Sequence, residues 1–186
     1  MAVKTFTSTA LSSSDVNTYL ANAGLVYVAH ANITSGSSYT NVLGCFSATY
    51  NNYVVSYSDV TASNNGVAML FKLLSGSTAT TAGFYGNTFY IANAAAGGLS
   101  NAVLTNAAYG ECGSVSSTFK NAAVFEVNQP FLSTQTNSNF MNTDNNYFRF
   151  GGYVLNNSSS YNGIQLLPAA CTFSTGTVVV YGRRLG

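Results

Sequence analysis

Short stretches of alternating residues, separated by turn signals, dominate the chain from Leu25 onward. In 53–58, for example, Tyr53, Val55 and Tyr57 fall on one side of an extended backbone. Clusters such as Asn64-Asn65-Gly66 and Asn156-Asn157-Ser158 are typical of turns between strands. The pattern predicts strands at 25–30, 53–58, 67–74, 88–92, 122–127, 147–154, 163–167 and 177–182.

Eight short strands separated by such turns favour an all-β fold, most simply a jelly-roll-like antiparallel β-sandwich. The segment 67–74 carries large apolar side chains on both sides, so we expect both sides of that strand to be covered. No repeat of fixed period suggests a solenoid or a propeller. A chain of 186 residues fits one such domain, which we assign to residues 25–186.

Residues 1–24 have a different pattern. An extended stretch leads to Ser12-Ser13-Ser14-Asp15, a helix N-cap signal, and Gly24 supplies a stop. The spacing between them predicts one helix of two to three turns, which is too short to be stable unless it docks on another surface. We therefore predict an extended N-terminal arm and a short docking helix. The predicted contact residues are Phe6, Leu11, Val16, Tyr19 and Leu20.

Charged side chains are scarce. The chain has six Lys and Arg, five Asp and Glu, and a net charge of +1, whereas Ser, Thr and Asn number 65. A chain without a basic stripe is not expected to bind nucleic acid. No apolar run reaches the ~20 residues of a membrane span, and no apolar leader follows Met1, so we expect synthesis in a cytoplasm without export.

The same scarcity leaves few residues for chemistry. His30 is the one histidine, and we predict that it makes a single hydrogen bond in a strand. No His, Cys, Asp or Glu grouping has metal-ligand spacing, so neither a metal nor another cofactor is expected. Cys45, Cys112 and Cys171 have no paired spacing and are predicted to be buried free thiols. The sequence therefore favours structural or binding work over catalysis.

Two functions other than a purely structural one stay open, namely glycan binding and hydrolysis. Thirteen tyrosines, with no tryptophan, could be ordinary strand residues, interface anchors or contacts for a glycan. Loops at 133–146 and 156–162 would be the glycan-contacting parts. A hydrolytic role would instead require two acids, such as Glu111 and Glu126, to converge in a cleft.

Three segments of the chain carry motifs that are shared with one known protein family. The run from Lys4 to Leu20 is similar to an extended TFT stretch followed by an LTASDVNTYL-like helix. Residues 46–53 resemble the family's F-S-x-x-Y-x-N-Y segment, which leads into a strand. The stretches 161–164 and 175–183 resemble its YDGI and GTIRVYGYR ending, although Val179 and Arg183 replace a basic and an aromatic residue.

Together these segments resemble those of a family of tailed-bacteriophage virion proteins. The resemblance implies a virion component rather than an enzyme. On that basis we expect a capsid decoration, or cement, protein that forms a homotrimer and bridges copies of the major capsid protein or other virion proteins. The alternative is a tail-fibre or receptor-binding component that recognises host glycans. Either assignment implies that the mature protein is located in the virion.

Overall fold

The computed structural model describes residues 24–92, 98–143 and 147–183. Their regular secondary structure consists of thirteen strands and no helix. The strands are β1 Leu25–Asn32, β2 Thr40–Val42, β3 Asn52–Ala62, β4 Val67–Ser75, β5 Thr78–Ala79, β6 Phe84–Ala92, β7 Leu99–Ala107, β8 Gly110–Val115, β9 Asn121–Asn128, β10 Thr136–Thr143, β11 Tyr147–Leu155, β12 Gly163–Pro168 and β13 Phe173–Arg183.

The strands form two antiparallel sheets that pack as a sandwich. The large sheet has eight strands in the order β1-β13-β3-β9-β10-β11-β6-β7. The small sheet has the order β2-β12-β4-β5, and β8 also pairs with β4. All of these pairings are antiparallel. The predicted all-β class and jelly-roll-like sandwich are confirmed.

One hydrophobic core lies between the sheets. Phe71 of the small sheet contacts Phe84 and Phe125 of the large sheet, with ring centroids 5.3 Å apart in each pair. Tyr53 and Tyr57 of β3 are also fully buried. Burial of large aromatic side chains is the main favourable contribution to such a core, because apolar surface is removed from water.

The eight strands predicted from alternation are all present, and most extend a few residues further at one or both ends. In β4 both alternating sets are buried, as expected for 67–74. Met69, Phe71 and Leu73 pack into the core, while Leu70 and Leu74 are buried on the other side.

The prediction that 133–146 is a loop is wrong for most of that segment. Thr136–Thr143 forms β10, which pairs along its length with β11 and over five residues with β9. Strands β2, β5, β7 and β8 were not predicted either. The predicted arm and docking helix, with Phe6, Leu11, Val16, Tyr19 and Leu20, lie outside the described residues.

Candidate interaction surface

Side chains alternate between the two sides of the large sheet, and one side faces the core. In β10, Ser138, Phe140 and Asn142 are buried between the sheets, whereas Met141 between them is 65% exposed. The side chains on the same side as Met141 point away from the small sheet. We call this side of the large sheet its outward side.

The register places outward side chains of successive strands next to one another. Val124 of β9 pairs with Met141, Met141 pairs with Phe150 of β11, and Phe150 pairs with Phe89 of β6. The rings of Phe89 and Phe150 stack with centroids 5.4 Å apart. Val124 and Met141 are mostly exposed, so this row forms an apolar ridge that crosses four strands.

A second set of apolar side chains extends the ridge to the sheet edge. Ile91 of β6 pairs with Phe148 on one side and with Leu99 of β7 on the other. Leu99 is 63% exposed, and Val103 in the same strand is 62% exposed. We call the whole set the apolar face, and it consists of Phe89, Ile91, Leu99, Val103, Val124, Met141, Phe148 and Phe150.

The apolar face lacks charge over four neighbouring strands. Among the described residues of β6, β7, β10 and β11, Arg149 is the one charged residue, and it points inward to Glu111. The adjacent strand β9 carries an outward charge at Glu126, whose carboxylate is 3.0 Å from the Arg183 guanidinium. A surface of this kind favours contact with a neutral and largely apolar partner.

A shallow hollow interrupts the apolar face at Gly152. It has a volume of about 490 Å³ and is lined by residues that include Asn87, Phe89, Phe150 and Gly152. Asn87 pairs directly with Gly152 across the strands, so its side chain has no opposing side chain there. The Asn87 Oδ1 atom is buried and has no hydrogen-bond donor among the described residues. An unpaired buried acceptor costs free energy until a donor reaches it.

The inward side of the same strands carries a buried polar cluster. The Arg149 guanidinium donates to the Glu111 carboxylate at 2.9 Å, and it also lies over the ring of Tyr147 at 5.0 Å. The Tyr153 hydroxyl is hydrogen-bonded to Thr88. Burial raises the pKa of Tyr153 above its usual range. The ion pair ties β8 of the small sheet to β11 of the large sheet, and the Tyr153–Thr88 hydrogen bond joins β11 to β6 within the large sheet.

The residues considered for catalysis are separated by the fold. His30 Nδ1 lies 2.6 Å from the Tyr27 hydroxyl, so the predicted single hydrogen bond is present. Each acid of the described residues has its own cation, because Asp59 pairs with Lys120, Glu111 with Arg149 and Glu126 with Arg183. In the part of the chain that the structure describes, no three His, Cys, Asp or Glu side chains form a metal-binding group.

The three cysteines are free thiols, as predicted, and two of them are buried. Burial raises the pKa of the Cys45 thiol from 9.0 to about 12. Burial also raises the pKa of Cys112, and the charge of adjacent Glu111 adds to this effect. Cys171 is partly exposed rather than buried.

A polar groove of about 360 Å³ lies away from the apolar face, between β5 and the segment after β11. Asn157 Oδ1 accepts hydrogen bonds from the Tyr161 hydroxyl at 3.0 Å and from the Ser159 amide at 3.1 Å. Thr78 and Thr80 line the opposite wall. Hydroxyl and amide groups of this kind can bind a neutral polar ligand.

No described helix is long and apolar enough to cross a membrane. Comparisons with protein-family models, curated proteins and solved structures found no match to this chain. The fold is an antiparallel β-sandwich whose large sheet carries the apolar face on its outward side.

Proposed function

We propose that this chain is a non-enzymatic structural protein of a tailed-phage virion, where it decorates the capsid and stabilises it by bridging subunits. The observation that carries the proposal is the apolar face, a surface suited to contact with other proteins rather than to chemistry. The assignment to a virion rests on the resemblance of the N-terminal, central and C-terminal segments to virion proteins. The proposed partners are other copies of the chain, as a homotrimer, and the major capsid protein.

Two further observations support a structural role. The described acids are engaged in separate ion pairs, and the lone histidine is engaged with Tyr27. A general acid–base pair or a nucleophile with its base would need such groups to converge around one cleft. The charge-poor surface instead favours close packing against neutral protein surfaces.

Copy number tests the proposal directly. Particles of the phage whose genome encodes the chain are purified, and the chain is quantified on a denaturing gel against the major capsid protein. Hundreds of copies per particle are expected for capsid decoration. A dozen or so would place the chain in the tail, and absence from washed particles would overturn the virion assignment.

The polar groove favours a second candidate function, which is recognition of host-surface glycans by a tail-fibre or receptor-binding component. Its walls include Asn157, Ser159 and Tyr161, which lie in the segment 156–162 expected to contact a glycan. A glycan array with the full chain separates the two functions. Binding to one class of saccharide that is lost in Asn157→Ala would favour the second, whereas capsid decoration requires no saccharide preference.

A further inference from the structure

The outward side of the large sheet is big enough to hold a stable protein interface. Eight strands about 4.8 Å apart span roughly 38 Å, and eight residues at about 3.3 Å each span roughly 26 Å. The resulting area of about 1,000 Å² exceeds the ~800 Å² that each partner contributes to a typical specific interface. The apolar face spans the five strands from β9 to β7, an area of roughly 600 Å², so contact between two such faces would bury about 1,200 Å² in total, at the lower end of specific interfaces.

Strand β7 is a long edge strand of the large sheet that lacks charged residues and proline. Its nine residues include no charged residue and no proline, and most of them are exposed. Natural edge strands are commonly protected from association by charge, proline, short length or a bulge. Both edges carry one irregularity in register, between Tyr27 and Ala29 in β1 and near Asn106 in β7, opposite Phe84–Gly86. From Leu99 to Leu104, β7 stays in regular register with β6.

The chemistry of the apolar face indicates which kind of molecule can cover it. Nucleic acid and anionic lipid headgroups need basic side chains, and the strands β6, β7, β10 and β11 present none outward. An acyl chain offers no hydrogen-bond donor for the buried Asn87 Oδ1. A second copy of this chain supplies both an uncharged apolar surface and hydrogen-bond donors. It carries the same apolar face, and its outward amides include that of Asn101, which lies beside Phe89.

From the size, the open edge and the absence of charge, we propose that a second copy of this chain covers the apolar face, with β7 inside the contact. This inference rests on the proposed function in treating the face as a protein contact, and it deepens that function by placing the contact between copies on the apolar face. The side chains of Met141 and Val103, more than half exposed in the single chain, become buried on association.

Two lysine substitutions in the full chain test the inference. Met141→Lys and Val103→Lys place a charge in the contact, and neither side chain belongs to the core of the single chain. Burial of an unpaired charge is strongly unfavourable, so each substitution is expected to raise the dissociation constant at least about 100-fold. The matched control is Leu43→Lys, because Leu43 is 56% exposed and lies outside the large sheet.

Molar mass is measured by light scattering and sedimentation over a concentration series, with circular dichroism to verify folding. The expected result is an oligomer for the wild type and for Leu43→Lys, and a monomer for the other two variants. A wild type that stays monomeric near 100 µM overturns the inference, and so do lysine variants that associate like the control. A monomeric wild type found at high copy number on particles overturns this inference alone, whereas an oligomer absent from particles overturns the proposed function alone.

Discussion

Glu111 and Arg149 form an ion pair of 2.9 Å that joins the two sheets of the sandwich. Only 10% of the Glu111 side chain and 12% of the Arg149 side chain remain exposed. The pair stands directly behind the apolar face, because Arg149 lies in β11 between the outward residues Phe148 and Phe150. It therefore holds in place the strand that carries part of the apolar face.

Loss of this pair is expected to destabilise the fold. Glu111→Gln leaves the Arg149 charge buried without its counter-charge, which should lower the free energy of unfolding by about 3 kcal/mol. Urea denaturation followed by circular dichroism measures the change. Asp59→Asn is the control, because the Asp59–Lys120 pair is mostly exposed and should contribute less than about 1 kcal/mol. Equal losses in the two variants would contradict the structural role assigned to Glu111.

Thiol reactivity should distinguish the three cysteines. Cys45 and Cys112 are buried and their raised pKa values keep them protonated at pH 8, whereas Cys171 is partly exposed. Because the thiolate is the reactive form, a disulfide reagent should label one thiol rapidly in the folded chain and three after denaturation. The Cys171→Ser variant should show no rapid labelling. Rapid reaction of two thiols in the folded wild type would be inconsistent with this burial.

Stability should fall at alkaline pH. The Cys45 pKa is higher in the folded chain, about 12, than its ordinary value of 9.0, so the unfolded chain loses this proton first. The contribution of the protonated Cys45 thiol to the free energy of unfolding is fully present below pH 9. It is lost progressively as the pH rises from 9 toward 12, by up to about 1.4 kcal/mol per pH unit. Urea titrations at pH 8, 9 and 10 measure the slope. The Cys45→Ala variant should be less stable overall, and its free energy of unfolding should fall less steeply with pH. An unchanged slope would show that Cys45 does not cause the loss of stability at alkaline pH.

The predicted N-terminal contacts should govern attachment to the particle rather than folding of the sandwich. A full chain with serine at Phe6, Leu11, Val16, Tyr19 and Leu20 is expected to lose at least tenfold in copies bound per particle. Its free energy of unfolding should stay close to that of the wild type. The control replaces polar residues of the same segment outside the N-cap signal by alanine, at Thr5, Thr7, Ser8, Thr9 and Thr18, and should keep the wild-type copy number. A variant that fails to fold would show instead that these apolar residues belong to the core.

Sequence patterning was sufficient for most of the sandwich but failed for β10. The segment alternates as a strand should, yet its buried positions include Ser138 and Asn142 rather than apolar residues. These polar groups are tolerated because the fold supplies partners. Asn142 accepts a hydrogen bond from Ser114 Oγ at 3.0 Å and donates one to the Ala122 carbonyl at 3.0 Å. Since these partners come from β8 and β9, a local pattern could not reveal them.

The apolar face was missed for a related reason. Its row of Val124, Met141, Phe150 and Phe89 exists only through the register of four strands, one of which was predicted to be a loop. The abundance of tyrosine did suggest contact surfaces, but the residues of this face are mainly Phe, Leu, Ile, Val and Met. Tyr53, Tyr57 and Tyr153 are instead buried in the core. The amino-acid composition therefore suggested a contact surface but could not show where the apolar face lies in the fold.

The position of β13 has a consequence for biosynthesis. This strand, the last one described, lies between β1 and β3. Because β13 is the neighbour of β1 in the large sheet, β1 has no pairing partner there until residues 173–183 have left the ribosome. Pairing between segments so distant in sequence is slow, since a long loop must close before any contact forms. While the chain is still being translated, the edge of β3 that later receives β13 is exposed. Nascent chains crowded on one messenger RNA should therefore benefit from a chaperone that shields this edge until translation ends.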